Sequence, residues 1–443
     1  MENSMRRRLL PFGLAALFFN PAFAQTVDTG RSDVYETSNN IRAPRASEPA
    51  APLTLKAALE LALGANPDLS AAGHELEAVK ATIIQAQVRP NPEISALIED
   101  TRRATREATL QFNQPIELGG KRAARIDVAE RRRAAAAAEL DVKRAEIRAA
   151  VMVAFFNVLA AQERLQFAKA SADLAQRATT AASRRVMAGK VSPVEETKAR
   201  VAEAGVRVEL TLAGSELASA RKRLAGLWGN PGPRFERAEG GLDILPPLPA
   251  LDDLNSRLAT SPSLLRARIE VDHRLALTEV ERSQRIPNLT VSLGAKRNEE
   301  LGRNQAILGV SIPLPIFNRN QGNLLEALRR TDKARDELST AEVRLFNELA
   351  QAHERLNTAH QEVALLQRDI LPGAQSALNA ATRGFELGKF SFLEVLDAQR
   401  TSFQTKSQYL RALSEAHQSA AEIERILGAA LPNLTLAPAA AKP

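Results

Sequence analysis

Gly189-Lys190-Val191-Ser192 returns, about 200 residues further along, as Gly388-Lys389-Phe390-Ser391. Three other landmarks recur in the same order. Ala65-Asn66-Pro67-Asp68-Leu69 is answered by Thr260-Ser261-Pro262-Ser263-Leu264, Asn91-Pro92-Glu93-Ile94 by Ile286-Pro287-Asn288-Leu289, and Gln114-Pro115-Ile116 by Ile312-Pro313-Leu314. Each half then closes on a glycine, Gly229 or Gly428. The spacing drifts by only a few residues, as loops do, so the chain is a tandem duplication.

The segments flanking the repeated turn read as helices. Between Gly120 and Gly189 there is no proline, which leaves room for one helix on the order of 100 Å long. Within it Ile147, Val151, Ala154, Val158, Ala161, Leu165, Ala168 and Ala172 alternate by four and three, the seam of a coiled coil. Leu345, Leu349, Ala352, Leu356, Ala359, Val363, Leu366 and Ile370 repeat the register in the second half. That second long segment, 320–387, contains Pro372-Gly373, which predicts either a kink within one helix or a split into two. Shorter helices are expected over 193–227 and 392–427 after the turns, and over 67–88 and 262–285 ahead of them.

Between the helices lie candidate strands. Ile94, Ala96 and Ile98 alternate with Ser95, Leu97 and Glu99; Ala108, Leu110 and Phe112 alternate with Thr109, Gln111 and Asn113. Leu289, Val291, Leu293 and Ala295 continue the pattern, and 306–312 follows. Runs of about 7–10 residues with period-2 alternation suit a tilted membrane strand with lipid on one face and water on the other. They also suit a small periplasmic β-domain capping a helical bundle. Four strands cannot close a barrel within one chain, so the membrane reading requires several chains. The hairpin tips, 101–106 and 297–304, are charged and polar, as an extracellular side requires.

The N-terminus reads as a secretion signal: Arg6, Arg7 and Arg8, then an apolar run over 9–19, then Ala22-Phe23-Ala24 as a small-x-small cleavage site. No other apolar run approaches 18 residues, so no transmembrane helix is expected. The chain has no cysteine, which excludes disulfides, thiolate zinc sites and a cysteine-linked lipid. Its 59 basic residues face 52 acidic ones, interspersed along helices, and aromatics are only 4%. A net charge of +7 so distributed is a solvated helix surface, not a nucleic-acid footprint.

On the duplication, the strand pairs and the two turns, the chain resembles the TolC-type outer-membrane efflux proteins over almost all of its mature length. Glu386-Leu387-Gly388-Lys389-Phe390-Ser391-Phe392-Leu393-Glu394-Val395-Leu396-Asp397-Ala398-Gln399 looks like that family's second helix-hairpin turn. Gln114-Pro115-Ile116-Glu117-Leu118-Gly119-Gly120-Lys121-Arg122 and Pro313-Leu314-Pro315-Ile316-Phe317-Asn318-Arg319-Asn320-Gln321-Gly322 make it most similar to the CzcC-like heavy-metal group. The resemblance implies a mainly α fold with a small β part: duplicated long α-helical hairpins forming a periplasmic barrel, and four membrane strands per chain contributing to a trimeric 12-stranded barrel. It further implies a homotrimer in outer-membrane lipid, docked on a periplasmic adaptor and a proton-driven inner-membrane pump of the RND type. The chain itself is then a passive exit duct for divalent heavy-metal cations, with no enzymatic activity and no cofactor. A duct for drugs or other small molecules is the alternative; a periplasmic adaptor fits less well, because this chain shows two hairpins and little other β. Its divisions are 1–24 signal, 25–52 flexible extension, 53–245 first repeat, 246–430 second repeat and 431–443 flexible tail. One tryptophan and two tyrosines make a poor aromatic girdle.

By the same resemblance Glu394 and Asp397 stand where the family has carboxylate rings at its periplasmic constriction. They lie three apart, hence on one helix face, and a trimer would turn each into a ring of three negative charges that attracts cations. Acidic residues also favour a helix first turn without any such role. Glu195 is the counterpart of Glu394 in the first repeat, with Glu196 beside it. Gly189, Lys190, Ser192, Gly388, Lys389 and Ser391 form the tip turns expected to meet an adaptor. His353 and His360, seven apart on one helix, are about 10 Å apart in rise, too far to share a metal, and are expected to be exposed. The sequence shows no metal-ligand constellation, nucleophile motif, phosphate loop or paired catalytic carboxylates.

Overall fold

The computed structural model describes Glu48 and residues 52–431; these fall in one compact unit, Arg45–Pro443. The first repeat runs β1 (Leu53–Thr54), α1 (Leu55–Ala65), α2 (Pro67–Gln87), β2 (Glu93–Glu99), β3 (Glu107–Ile116), α3 (Lys121–Met187), α4 (Pro193–Gly226) and β4 (Ala238–Glu239). The second runs α5 (Leu251–Leu258), α6 (Pro262–Ser283), β5 (Leu289–Asn298), β6 (Arg303–Ser311), α7 (Gln321–Leu365), a π segment (Leu366–Ile370), α8 (Leu371–Glu386) and α9 (Phe392–Leu427). Residues 1–47, 49–51 and 432–443 lie outside the described residues, and with them the signal peptide and most of the extension and tail.

The repeated landmarks are helix starts. Asn66 and Ser261 cap α2 and α6, each accepting from the backbone N–H three residues on, at 3.0 and 3.3 Å. Each is followed by a proline at the first helical position, where a missing N–H costs nothing. The expected seam is the core: Val151, Val158, Ala161 and Ala168 on α3, and Leu345, Leu349, Ala352, Leu356, Ala359, Val363 and Leu366 on the second long helix, are buried. The apolar middle of α3 is long enough to cross a membrane by composition, contrary to the sequence reading that no such segment is present. But Val151, Met152, Phe155, Phe156, Val158 and Leu159 are packed inside the main core, against α1, α4 and α9.

Ile370 departs from the seam and is 47% exposed. Pro372 has no N–H to offer the carbonyl of Arg368, and the preceding turn widens to a π segment that absorbs one extra residue. The buried series resumes one position late, at Ala374, Leu378, Ala381 and Phe385. The proline thus neither breaks the helix nor leaves its phase unchanged.

β2, β3, β5 and β6 form one antiparallel sheet in the order β2-β3-β5-β6, so the two repeats join through β3 and β5. The register aligns apolar residues in rows across all four strands: Ile94, Phe112, Leu293 and Leu308 in one, Ala96, Leu110, Ala295 and Ala306 in the next. The opposite face is polar, with Ser95, Asn113 and Ser292 linked by hydrogen bonds of 3.2 and 2.7 Å. Glu107 there accepts from Asn298 at 2.6 Å and pairs with Lys296. Leu97 and Ile307 are apolar exceptions on this face.

The connection between the repeats is a strap held by side chains. Gln162 of α3 both donates to and accepts from the Ala238 backbone, at 3.0 and 2.8 Å. His417 of α9 donates from Nε2 to the Leu242 carbonyl at 3.1 Å; His360 and His353 of α7 do the same to Pro246 at 2.8 Å and Pro249 at 3.0 Å. The expectation that His353 and His360 are exposed is therefore wrong. Their two-turn spacing matches the run of an extended strap across α7. Leu431, assigned to the flexible tail, is buried, and its N–H donates to Glu424 at 2.9 Å.

Candidate functional site

The two tips are built alike. Gly189 and Gly388 both adopt left-handed backbone, φ 67° and 75°, which lets the chain reverse without a Cβ clash. In each the next lysine N–H reaches back to the helix: Lys190 to the Arg185 carbonyl at 2.9 Å, Lys389 to that of Gly384 at 2.8 Å. Ser192 and Ser391 then cap α4 and α9. Lys190, Ser192, Lys389 and Ser391 are all exposed, as are the apolar Met187 and Leu387 beside the glycines.

The structure brings the tips side by side. Ala178, Ala182, Ala199, Ala381, Phe385, Phe392 and Val395 form a small common core, separate from the larger ones above. Arg185 of the first tip lies over the Phe385 ring at 4.3 Å and donates to the Phe385 and Glu386 carbonyls at the end of α8. A cation placed there sits at the negative end of the helix and adds a donor to carbonyls of its last turn, one of which, Phe385, also accepts from the Gly388 N–H at 3.0 Å. No sequence signal pointed to Arg185, because its partners lie about 200 residues away and are backbone atoms.

Glu394 turns back on its own helix: one carboxylate oxygen accepts from the Ser391 N–H at 2.6 Å and the Ser391 hydroxyl at 3.0 Å. It is a capping-box residue. Asp397, one turn on, is exposed and has no ion-pair partner among the described residues. Glu195 occupies the matching place on α4 but lies 3.7 Å from Lys198, and Glu196 pairs with Arg200 at 2.5 Å. Within one chain, then, Asp397 is the least engaged of these carboxylates. Among the described residues no group of His, Asp or Glu is disposed to hold a metal ion.

The sequence profile described as "Outer membrane efflux protein" matches residues 58–230 and 254–429, once over each repeat. The chain belongs to the outer membrane efflux protein family. As a member it is an efflux channel component of the outer membrane with a large periplasmic portion. It is 52% identical over 425 residues to the cobalt-zinc-cadmium resistance protein CzcC of Cupriavidus metallidurans, covering 96% of this chain and 100% of that one. It is 28% identical over 290 residues to the nickel-cobalt-cadmium resistance protein NccC of Alcaligenes xylosoxydans xylosoxydans, covering 64% of this chain and 65% of the relative. Its fold matches a crystal structure of CusC with a TM-score of 0.72 at 21% identity, covering 85% of this chain and 92% of that chain. The match to VceC of Vibrio cholerae is also 0.72, at 20% identity, covering 85% and 96%. The chain is mostly helical and folds as the TolC-like channels do.

Proposed function

We propose that the chain is one of three identical subunits of an exit duct for divalent heavy-metal cations, working with a periplasmic adaptor and an inner-membrane pump. The observation that carries this reading is the sheet. One face carries two apolar rows in register across all four strands, with polar Arg297 and Asn304 only towards the hairpin tips and Gln114 at the helix end, while β2 and β6 end the sheet on open edges. An open apolar sheet is unstable in lipid, where every backbone N–H and C=O needs a partner. Joining β6 of one copy to β2 of the next satisfies both edges, and three copies give a closed barrel of about 12 strands. The strands hold 7, 10, 10 and 9 residues, close to what a tilted span needs.

The helical part supports the same ring. α3 packs on both α4 and α9, and α9 on α7 and α8, so α4 and the α7–α8 helix are the outer members of the layer. α4 exposes Val194, Val201 and Val208, seven apart, and the other edge exposes Val343, Phe346 and Leu365. Two different edges with apolar stripes make a head-to-tail contact that closes by rotation. The cargo reading rests on the similarity to the cobalt-zinc-cadmium resistance protein. In this reading energy comes from the pump, the exposed tips around Gly189 and Gly388 meet the adaptor, and the chain catalyses no reaction.

The test is single-channel conductance of the purified protein in a planar bilayer, comparing wild type with Glu394→Ala/Asp397→Ala. Cation-selective steps are expected, with selectivity reduced in the double variant because two carboxylate rings are gone. Correctly folded protein that neither inserts nor conducts would overturn the duct. Conductance and selectivity equal to wild type would remove Glu394 and Asp397 from the constriction.

A further inference from the structure

The last turn of the first repeat carries a preorganised set of donors. After α4 the chain runs Trp228-Gly229-Asn230-Pro231-Gly232-Pro233-Arg234-Phe235. Two prolines restrict it, and the Asn230 side chain accepts from the Gly232 N–H at 3.1 Å, closing an Asx turn. Trp228 is only 2% exposed, with its ring packed near Phe235. Four N–H groups of this loop converge on one carboxylate, that of Glu48. Its Oε1 accepts from Trp228 Nε1 at 2.9 Å and Asn230 Nδ2 at 2.5 Å; its Oε2 accepts from the backbone N–H groups of Arg234 at 2.5 Å and Phe235 at 3.0 Å.

Four donors to one carboxylate, one of them a buried indole, satisfy nearly all its lone pairs. Burial pushes the Glu48 carboxyl up, but the bonds from Trp228, Arg234, Asn230 and Phe235 outweigh it and hold the group below the ordinary carboxylate value. Composition placed Glu48 in a flexible extension; its side chain is instead among the most fully bonded in the molecule. A few residues on, Leu53 and Thr54 pair with Ala238 and Glu239, which Gln162 holds from the other side. A two-residue parallel pairing is too short to hold a chain end by itself.

We propose that Trp228, Asn230 and the Arg234 and Phe235 amides form a carboxylate receptor whose ligand is the chain's own Glu48. This latch, more than the β1–β4 pairing, fixes Glu48 against the connection between the repeats. The receptor is built before its ligand arrives, since the prolines and the Asx turn set the donors without help from Glu48.

Trp228 is the chain's one tryptophan, so emission from the full-length protein in detergent reads the receptor directly. In Glu48→Ala the emission maximum is expected to shift, and the Arg234 and Phe235 amides to lose at least tenfold in hydrogen-exchange protection. Sodium acetate, added as a free carboxylate, should restore both towards wild type in this variant and leave wild type unchanged. Glu48→Gln, which keeps the shape but gives up one accepting oxygen, should fall between the two and serves if Glu48→Ala does not fold. Emission and protection equal to wild type in either variant would overturn the latch. Loss of protection that acetate does not restore would overturn the receptor.

Discussion

Acidification from pH 7 to pH 5 is expected to remove about 2 kcal/mol of stability from the wild-type chain through His417 alone. The ring is 2% exposed and lies flat on Phe156, centroids 3.5 Å apart. Nε2 is committed to the Leu242 carbonyl, and Nδ1 has no partner. Burial pulls its pKa down to about 4; the Leu242 bond partly opposes this, and His360 nearby adds to it. The unfolded side chain titrates near 6.5. Between those values the unfolded state binds more protons than the folded one, so stability is complete above about pH 6.5 and falls as pH drops towards 4, with a limit of about 3 kcal/mol. The control is His417→Gln, whose side-chain nitrogen takes roughly the place of Nε2 and never titrates. It forfeits the stacking, about 1 kcal/mol at any pH. The two proteins should therefore cross: wild type the more stable at pH 7, the variant by about 1 kcal/mol at pH 5. Every other acid and base is common to both and cancels in the comparison. Denaturant midpoints read by circular dichroism at the two pH values measure it. A difference between the proteins that does not change with pH would refute the argument.

Gly229 and Gly428 close the two repeats with the same left-handed backbone, yet their surroundings differ. A Cβ on Gly428 would meet Pro262 Cγ at 2.3 Å, whereas one on Gly229 would find Pro67 Cγ at an ordinary 3.5 Å. Alanine should cost about 1 kcal/mol at Gly229 from backbone strain alone and about 1–3 kcal/mol more at Gly428; equal losses in thermal unfolding would contradict this. At the tips, Arg185→Lys gives up the planar guanidinium that lies over Phe385 while its Nη2 donates to the Phe385 and Glu386 carbonyls, and should let the tips part. Spin labels on Lys190→Cys/Lys389→Cys, in a chain with no cysteine of its own, should then show a longer or broader distance distribution than in the parent; an unchanged distribution would argue against the clamp.

Periodicity carried most of the architecture. The 4-3 seam, the prolines at helix starts and the period-2 runs are local patterns, and α3, α4, α6, α9 and the four long strands stand where those patterns put them. Contacts between distant segments were not legible. Nothing local says that β3 pairs with β5, that Arg185 reaches Phe385, or that three imidazoles point at one strap. Each ends on a backbone atom elsewhere, from another strand's backbone in the sheet and from a side chain in the other two, and backbone atoms leave no mark in a sequence. Glu48 shows the limit of composition: a segment rich in Pro, Ser and Ala reads as unstructured, while one acidic side chain within it is held by four donors.

The π segment before Pro372 gives the two repeats different mechanics. α3 runs from the sheet to its tip unbroken, but its counterpart carries one residue too many in the part nearer its tip, with 45 helical residues before the π segment and 16 after it. In the proposed trimer the six tips would thus alternate between two kinds, and an otherwise sixfold crown would be reduced to true threefold order. A partner that reads this crown faces a quasi-equivalence problem: six copies must settle in two environments, or three copies must each span an unlike pair.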